Sequence, residues 1–123
     1  MVDKSTKKII CVAVSKGRKH DYRVFKESKT SVHSTIKVQV DTGYQGLQKK
    51  HNNTEIPKKK RKKNPLTQED KLRNQKISSS RVTIENVIRS IKIFKILAER
   101  YRNRRKRFTL RLNLMAAIYN FQL

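Results

Sequence analysis

An α/β fold is predicted by three features of the sequence. Ile9–Val14 (IICVAV) is an unbroken, largely β-branched apolar run of strand length. Ile36, Val38 and Val40 alternate with Lys37, Gln39 and Asp41, the period-two pattern of a second strand. From Arg81 onward, Ile84, Val87, Ile88, Ile91, Lys95 and Ala98 recur at helical spacing as a mainly apolar stripe. The expected order is strand, helix, strand, basic loop, helix, helix, with too few strands to close a sheet alone.

A chain of 123 residues is one domain, with room for a modest core. Its formal net charge of +23 and pI near 10.8 imply a polyanionic partner, because such a chain otherwise repels itself. Nucleic acid is the default. A membrane is disfavoured, since the longest apolar run, Ile9–Val14, falls far short of the ~20 residues a spanning helix needs. Cys11 has no second cysteine to pair with, so no disulfide framework exists and a reducing, cytoplasmic compartment is expected. His20, His33 and His51 with one cysteine offer no zinc spacing, and the N-terminus carries no secretory pattern.

In chain order, Met1 and Val2 lead through the turn-like DKSTKK into Ile9–Val14, as in a hairpin short of its first arm. That run is expected to be buried on both faces, in the middle of a sheet or beside it. Gly17 breaks the pattern, and Asp21 is placed to cap a short helix through Ser28 that buries Tyr22 and Phe25. Asp41 falls at the C-terminal tip of the second strand. Gly43 and Gly46 imply a tight turn before a short helical piece at Leu47–Lys50. PKKKRKKNP, at 57–65, reads as an unstructured basic loop. Thr67 with Asp70 has the form of a capping box that opens a helix over Gln68–Lys76. Ser78, Ser79 and Ser80 are expected to stop it and to cap the next helix, 81–101. RNRRKR then leads to a last helix, within 107–123, showing Phe108, Leu112, Met115, Ile118 and Tyr119 on one face.

On the 81–101 helix, Arg81, Glu85, Arg89 and Lys92 fall within a sector of roughly 80°, which sets one carboxylate inside a cationic stripe. Asp41 and Glu85 are candidate ligands of a divalent metal, since oxygen donors suit such ions. The plainer alternative makes Asp41 a turn former and Glu85 an ion-pair partner. Lys58, Lys59, Lys60 and Arg61 in the basic loop, and Arg104 and Arg105 in RNRRKR, are candidate contacts for DNA phosphates. PKKKRKK also has the form of a nuclear import signal, a reading that requires a host with a nucleus. His20 next to Asp21 suggests an acid/base pair, but a helix cap explains Asp21 more simply. Cys11 reads as a small buried hydrophobe rather than a nucleophile.

Four ordered motifs carry a family resemblance over nearly the whole chain. Arg81, Glu85 and Lys92, spaced R-x3-E-x6-K, resemble the signature around the last catalytic carboxylate of bacterial insertion-sequence transposases of the DDE superfamily. VDTGYQGL at Val40–Leu47 is similar to the family's second-aspartate motif. KGRKHDYRVF at Lys16–Phe25 resembles its intervening Gly…His-Asp segment, and the stretch from Ile56 to Arg81 its basic insertion before the Glu helix. Ser78 stands where the family often has a Tyr, so no stacking role is carried over there.

The resemblance implies a ribonuclease-H-like domain that cuts and transfers DNA strands with Mg2+ or Mn2+. Asp41 would be its second metal-binding acid and Glu85 its third, with Arg81 and Lys92 on DNA near the scissile bond. The first catalytic Asp is expected on a strand before Ile9–Val14, and neither Asp3 nor Asp21 matches it. The expectation is therefore a partial DDE domain, its mixed sheet short of its first strand or strands. It would bind transposon ends and be catalytically incomplete alone, with an upstream transposase polypeptide or a second copy as partner. The alternative is a non-enzymatic basic nucleic-acid-binding protein.

Overall fold

The computed structural model describes residues 1–15, 17–94 and 107–123. The described elements are helix α1 (Asp21–Glu27), strand β1 (Val38–Gln39), two 3₁₀ turns (Thr42–Tyr44 and Leu47–Lys49), strand β2 (Thr54–Glu55), helix α2 (Gln68–Ile91) and helix α3 (Phe108–Gln122). They belong to two compact units, one of Ser15–Arg81 and one of Met1–Val14 with Val82–Leu123. No described helix is long and apolar enough to cross a membrane.

In the Ser15–Arg81 unit, β1 and β2 pair in parallel, Val38 opposite Thr54 and Gln39 opposite Glu55. The ladder is held by Val38 N–H to the Asn53 carbonyl (2.9 Å) and Val40 N–H to the Glu55 carbonyl (3.1 Å). Alternation at 36–41 correctly marks β1, although only its centre is paired. β2 follows the same rule in miniature: Thr54 and Ile56 are buried while Glu55 between them faces outward to Lys37. Leu47, 2% exposed, fills the space beside them. Gly46 has φ +99°, and a side chain there would also sit 3.3 Å from the Tyr22 ring, whose hydroxyl donates to the Gly46 carbonyl.

α1 forms where expected, but Asp21 is its first residue and not its cap. His20 holds the cap position and makes no side-chain capping bond. Tyr22 and Phe25 turn inward yet are only half-buried, because a seven-residue helix packed on the short Thr42–Tyr44 turn leaves its flanks open.

The capping box at the start of α2 is present in both directions. Asp70 N–H donates to Thr67 Oγ1, and Thr67 N–H to Asp70 Oδ2, each at 3.2 Å. The serine triplet does not end the helix: α2 runs unbroken through Ser78–Ser80 to Ile91. The Ser80 hydroxyl donates back to the Ile77 carbonyl (3.0 Å) and toward Gln39 Oε1 (2.7 Å), so its polarity is satisfied without leaving the helix. At the other end the helix stops at Ile91, short of the expected 101, with turn-like bonds at Ile93 and Phe94. Residues 95–106, and with them Lys95, Ala98 and most of RNRRKR, lie outside the described residues.

In the other unit, the core gathers Ile9, Val87 and Ala116, with Val2, Val12, Ile91 and Tyr119 packed against it. Val87 and Ile91 thus face inward as the helical stripe requires, whereas Ile88 is 45% exposed. α3 presents Phe108, Leu112, Met115 and Tyr119 inward as expected, but Ala116 takes the most buried place and Ile118 turns outward.

Ile9–Val14 is not a central strand buried on both faces. Among the described residues its only ladder contact is an antiparallel bridge between Ile9 and Val2, flanked by Asp3 N–H to the Lys8 carbonyl (2.9 Å) and Ile10 N–H to the Met1 carbonyl (3.0 Å). On the opposite edge, Asn120 of α3 takes the place of a neighbouring strand: Ile9 N–H donates to Asn120 Oδ1 and Asn120 Nδ2 donates to the Ile9 carbonyl, both at 2.8 Å. Ile9 lies in the core and Val12 packs against it, while Ile10 is 62% exposed and Val14 42%. Cys11 is intermediate in burial.

Candidate functional site

The turn after β1 presents the first candidate acid. Asp41 caps the Thr42–Tyr44 turn, its Oδ1 accepting from Gly43 N–H at 2.8 Å. Its other oxygen, Oδ2, lies 3.6 Å from Arg81 Nη2, an ion pair in which both side chains stay partly exposed. The cationic residue expected to hold DNA phosphate is thus also the charge partner of the acid.

A second carboxylate approaches the same turn. A Cβ at Gly43 would lie 2.8 Å from Asp21 Oδ2 and 3.0 Å from Asp41 Oδ1, closer than Cβ atoms come to such atoms. Gly43 does not have a positive φ, so it is needed for space and not for conformation. Asp21, read as a helix cap, instead points its carboxylate at the Asp41 turn. The effect reaches Tyr44, whose hydroxyl is pushed above its ordinary value by burial first, then by the negative charges of Asp21 and Asp41. Phe25 meets Tyr44 edge to face, 6.4 Å between ring centres, and so packs α1 against this turn.

Glu85 lies on α2 one turn beyond Arg81 and one turn before Arg89. It is exposed, and it has no ion-pair partner among the described residues. Arg89 is exposed in the last turn of α2, where a cation complements the helix dipole, and Lys92 is exposed just past the helix end. Among the described residues, no three His, Cys, Asp or Glu side chains are grouped as a metal centre. The oxygen donors of Asp41 and Glu85 suit a hard divalent ion, which takes carboxylate and water ligands.

The basic loop is exposed from Lys58 to Pro65, as expected, but its root is anchored. Lys58 N–H donates to Asn74 Oδ1 (2.8 Å), Asn74 Nδ2 donates to the Lys58 carbonyl (2.9 Å), and Lys58 Nζ pairs with Asp70 (2.7 Å). Lys58 is therefore committed to α2, and the Asp70 carboxyl is held below its ordinary value chiefly by that lysine. Lys59, Lys60 and Arg61 remain exposed, with Arg61 and Asn64 exchanging backbone bonds across the loop tip. Asn74 gave no warning in the sequence, because a polar residue in a polar helix carries no pattern. Arg104 and Arg105 lie outside the described residues.

Comparison with known proteins gives the family. A family model described as "DDE superfamily endonuclease" matches residues 1–120. The chain is 45% identical over 123 residues to a protein named "Probable transposase for insertion sequence element IS702" from Microchaete diplosiphon. All of this chain, but 45% of that protein, is covered, so the chain spans just under half its relative's length. No solved structure matches. With an Asp at the strand-end turn, an R-x3-E helix turn on α2 and a family match from end to end, the chain belongs to the DDE superfamily of endonucleases.

Proposed function

We propose that this chain supplies part of the catalytic domain of an insertion-sequence transposase, with a ribonuclease-H-like arrangement, that cleaves and joins DNA strands with a divalent metal. Asp41 and Glu85 are the metal-binding acids. Arg81, Arg89, Lys92 and the exposed Lys59, Lys60 and Arg61 contact DNA phosphates, and Lys58 holds the loop root. The observation that carries this reading is the Asp41–Arg81 ion pair. It joins the acid-bearing turn to the arginine of the R-x3-E motif, so an anion arriving at Arg81 competes with Asp41 for the guanidinium. A bound Mg2+ or Mn2+ would stabilise charge on the attacking and leaving oxygens of a phosphodiester.

The competing reading, a basic DNA-binding protein without chemistry, draws on the same geometry. Asp41 already has a structural task as a turn cap and Arg81 partner. Paramagnetic Mn2+ added to the 15N-labelled chain separates the two. The enzyme reading requires line broadening at the amides around Asp41 and Glu85, weakened by Asp41→Asn and by Glu85→Gln. Broadening that is absent from both, with DNA binding intact, would leave the non-enzymatic reading standing.

A further inference from the structure

A cavity of about 290 Å³ opens within the Ser15–Arg81 unit between α1, β1 and the Leu47–Lys49 turn. It is at the small end of the ~300–1,000 Å³ range of ligand sites. Its open apolar lining comes from Phe25, Val32 and Val38, while Leu47, 2% exposed, contributes almost no surface. Its rim is cationic, with Lys26, Lys29 and Lys50, and no Asp or Glu lines it. None of those lysines forms an ion pair among the described residues, although other lysines and arginines of the same unit do. Lys26 instead stands 4.6 Å over the Tyr22 ring. Lys29, on the rim, adopts φ +53°, a left-handed conformation that residues other than glycine seldom take. His51 closes one wall with both ring nitrogens engaged, Nδ1 with Thr54 Oγ1 (3.2 Å) and Nε2 with the His33 carbonyl (3.1 Å). The histidine is therefore a fixed wall, and the free polar reach belongs to the lysines.

An apolar lining under a rim whose only charges are positive matches a ligand with one apolar face and one anionic group. We propose that this cavity holds a single unstacked nucleotide of a DNA strand, its phosphate on Lys29 and Lys50 and its base against Phe25 and Val38. The inference rests on the DNA reading above, and it adds a contact to single-stranded rather than duplex DNA.

The test follows amide shifts of the 15N-labelled full chain with three probes: dTMP, thymidine and inorganic phosphate. The expected result is that dTMP moves Thr30, Ser31 and His51, while thymidine and phosphate each move them less at equal concentration. Lys29→Glu with Lys50→Glu should weaken the dTMP effect at least tenfold, and these exposed positions leave the fold intact by circular dichroism. Two results overturn the proposal: no dTMP shift at these amides, or a phosphate effect equal to that of dTMP. A duplex oligonucleotide run in parallel keeps the two readings apart. Duplex shifts on α2 and the 58–63 loop without a dTMP effect at the cavity would remove this inference and leave the DNA reading standing. A dTMP effect without any duplex shift would keep the nucleotide contact at the cavity and remove α2 and the 58–63 loop as the duplex-binding surface.

Discussion

Asn120 meets Ile9 as a strand would, its carboxamide exchanging two 2.8 Å hydrogen bonds with the N–H and carbonyl of one residue 111 positions away. The same device recurs where Asn74 exchanges two bonds with the backbone of Lys58. A carboxamide can do this because its oxygen acceptor and one of its two N–H donors lie side by side, so it can pair with both the N–H and the carbonyl of one residue. With two two-residue strands among the described residues, helix-borne asparagines satisfy extended backbone that a wider sheet would have paired.

Asn120→Ala leaves the N–H and carbonyl of the 7%-exposed Ile9 without these partners. The expected loss is about 1–3 kcal/mol in urea unfolding. Asn113→Ala on the exposed face of the same helix is expected to be near neutral. Equal effects of the two substitutions would show that Asn120 carries no special share of the packing.

Gly43→Ala places a methyl where Asp21 Oδ2 and Asp41 Oδ1 now approach. One carboxylate must withdraw, at a cost of about 1–3 kcal/mol for an overfilled contact. As negative charge leaves, the Tyr44 hydroxyl should titrate lower than in the parent, since Asp21 and Asp41 both raise it. NMR of the Tyr44 ring across alkaline pH reads this directly. An unchanged titration would mean that both carboxylates stay where they are.

Acid should loosen the β1–β2 ladder through Glu55. Its carboxyl is held below its ordinary value of 4.5 by a hydrogen bond from Lys37, then one from Gln39. A depressed folded-state value means stabilisation that is full above the unfolded value and fades as pH falls through the folded one. The window therefore opens near 4.5 and extends below it. Carboxyl NMR should find the Glu55 midpoint below 4.5 in the parent and higher in Lys37→Met; equal midpoints would refute the role of Lys37.

How much of this was legible in the sequence depended on the distance over which each feature is decided. Thr67 and Asp70 are three residues apart, and their reciprocal cap could be read directly. The Asp41 turn was legible for the same reason, as was the inward face of α3. The continuity of α2 was not, because Ser78–Ser80 look like a stop until Ser80 is seen bonded to the Ile77 carbonyl and Gln39. The placement of Ile9–Val14 depended on Asn120, at the far end of the chain. The approach of Asp21 to Gly43 had one sign in the sequence: a glycine beside the acid, read as a turn former when it was required for room. Glu85 and Arg81 could be put on one helix by spacing, but that Arg81 reaches Asp41 needed the fold.

The unbroken first half of α2 acts as a ruler. Asp70, Asn74, Ile77 and Arg81 follow one another at helical spacing along one face, and each has a task there. The first two grip Lys58, the third is buried, and the last reaches Asp41. From Asp70 to Arg81 is about 16 Å of rise, with the two side chains about 20° apart around the axis. Residues can be gained or lost among the exposed lysines of the loop without touching that spacing. Removing one serine from the triplet would swing Arg81 by about 100° and strand Asp41 without its partner, so variation in length is cheap on one side of Lys58's anchor and prohibitive along the helix that carries it.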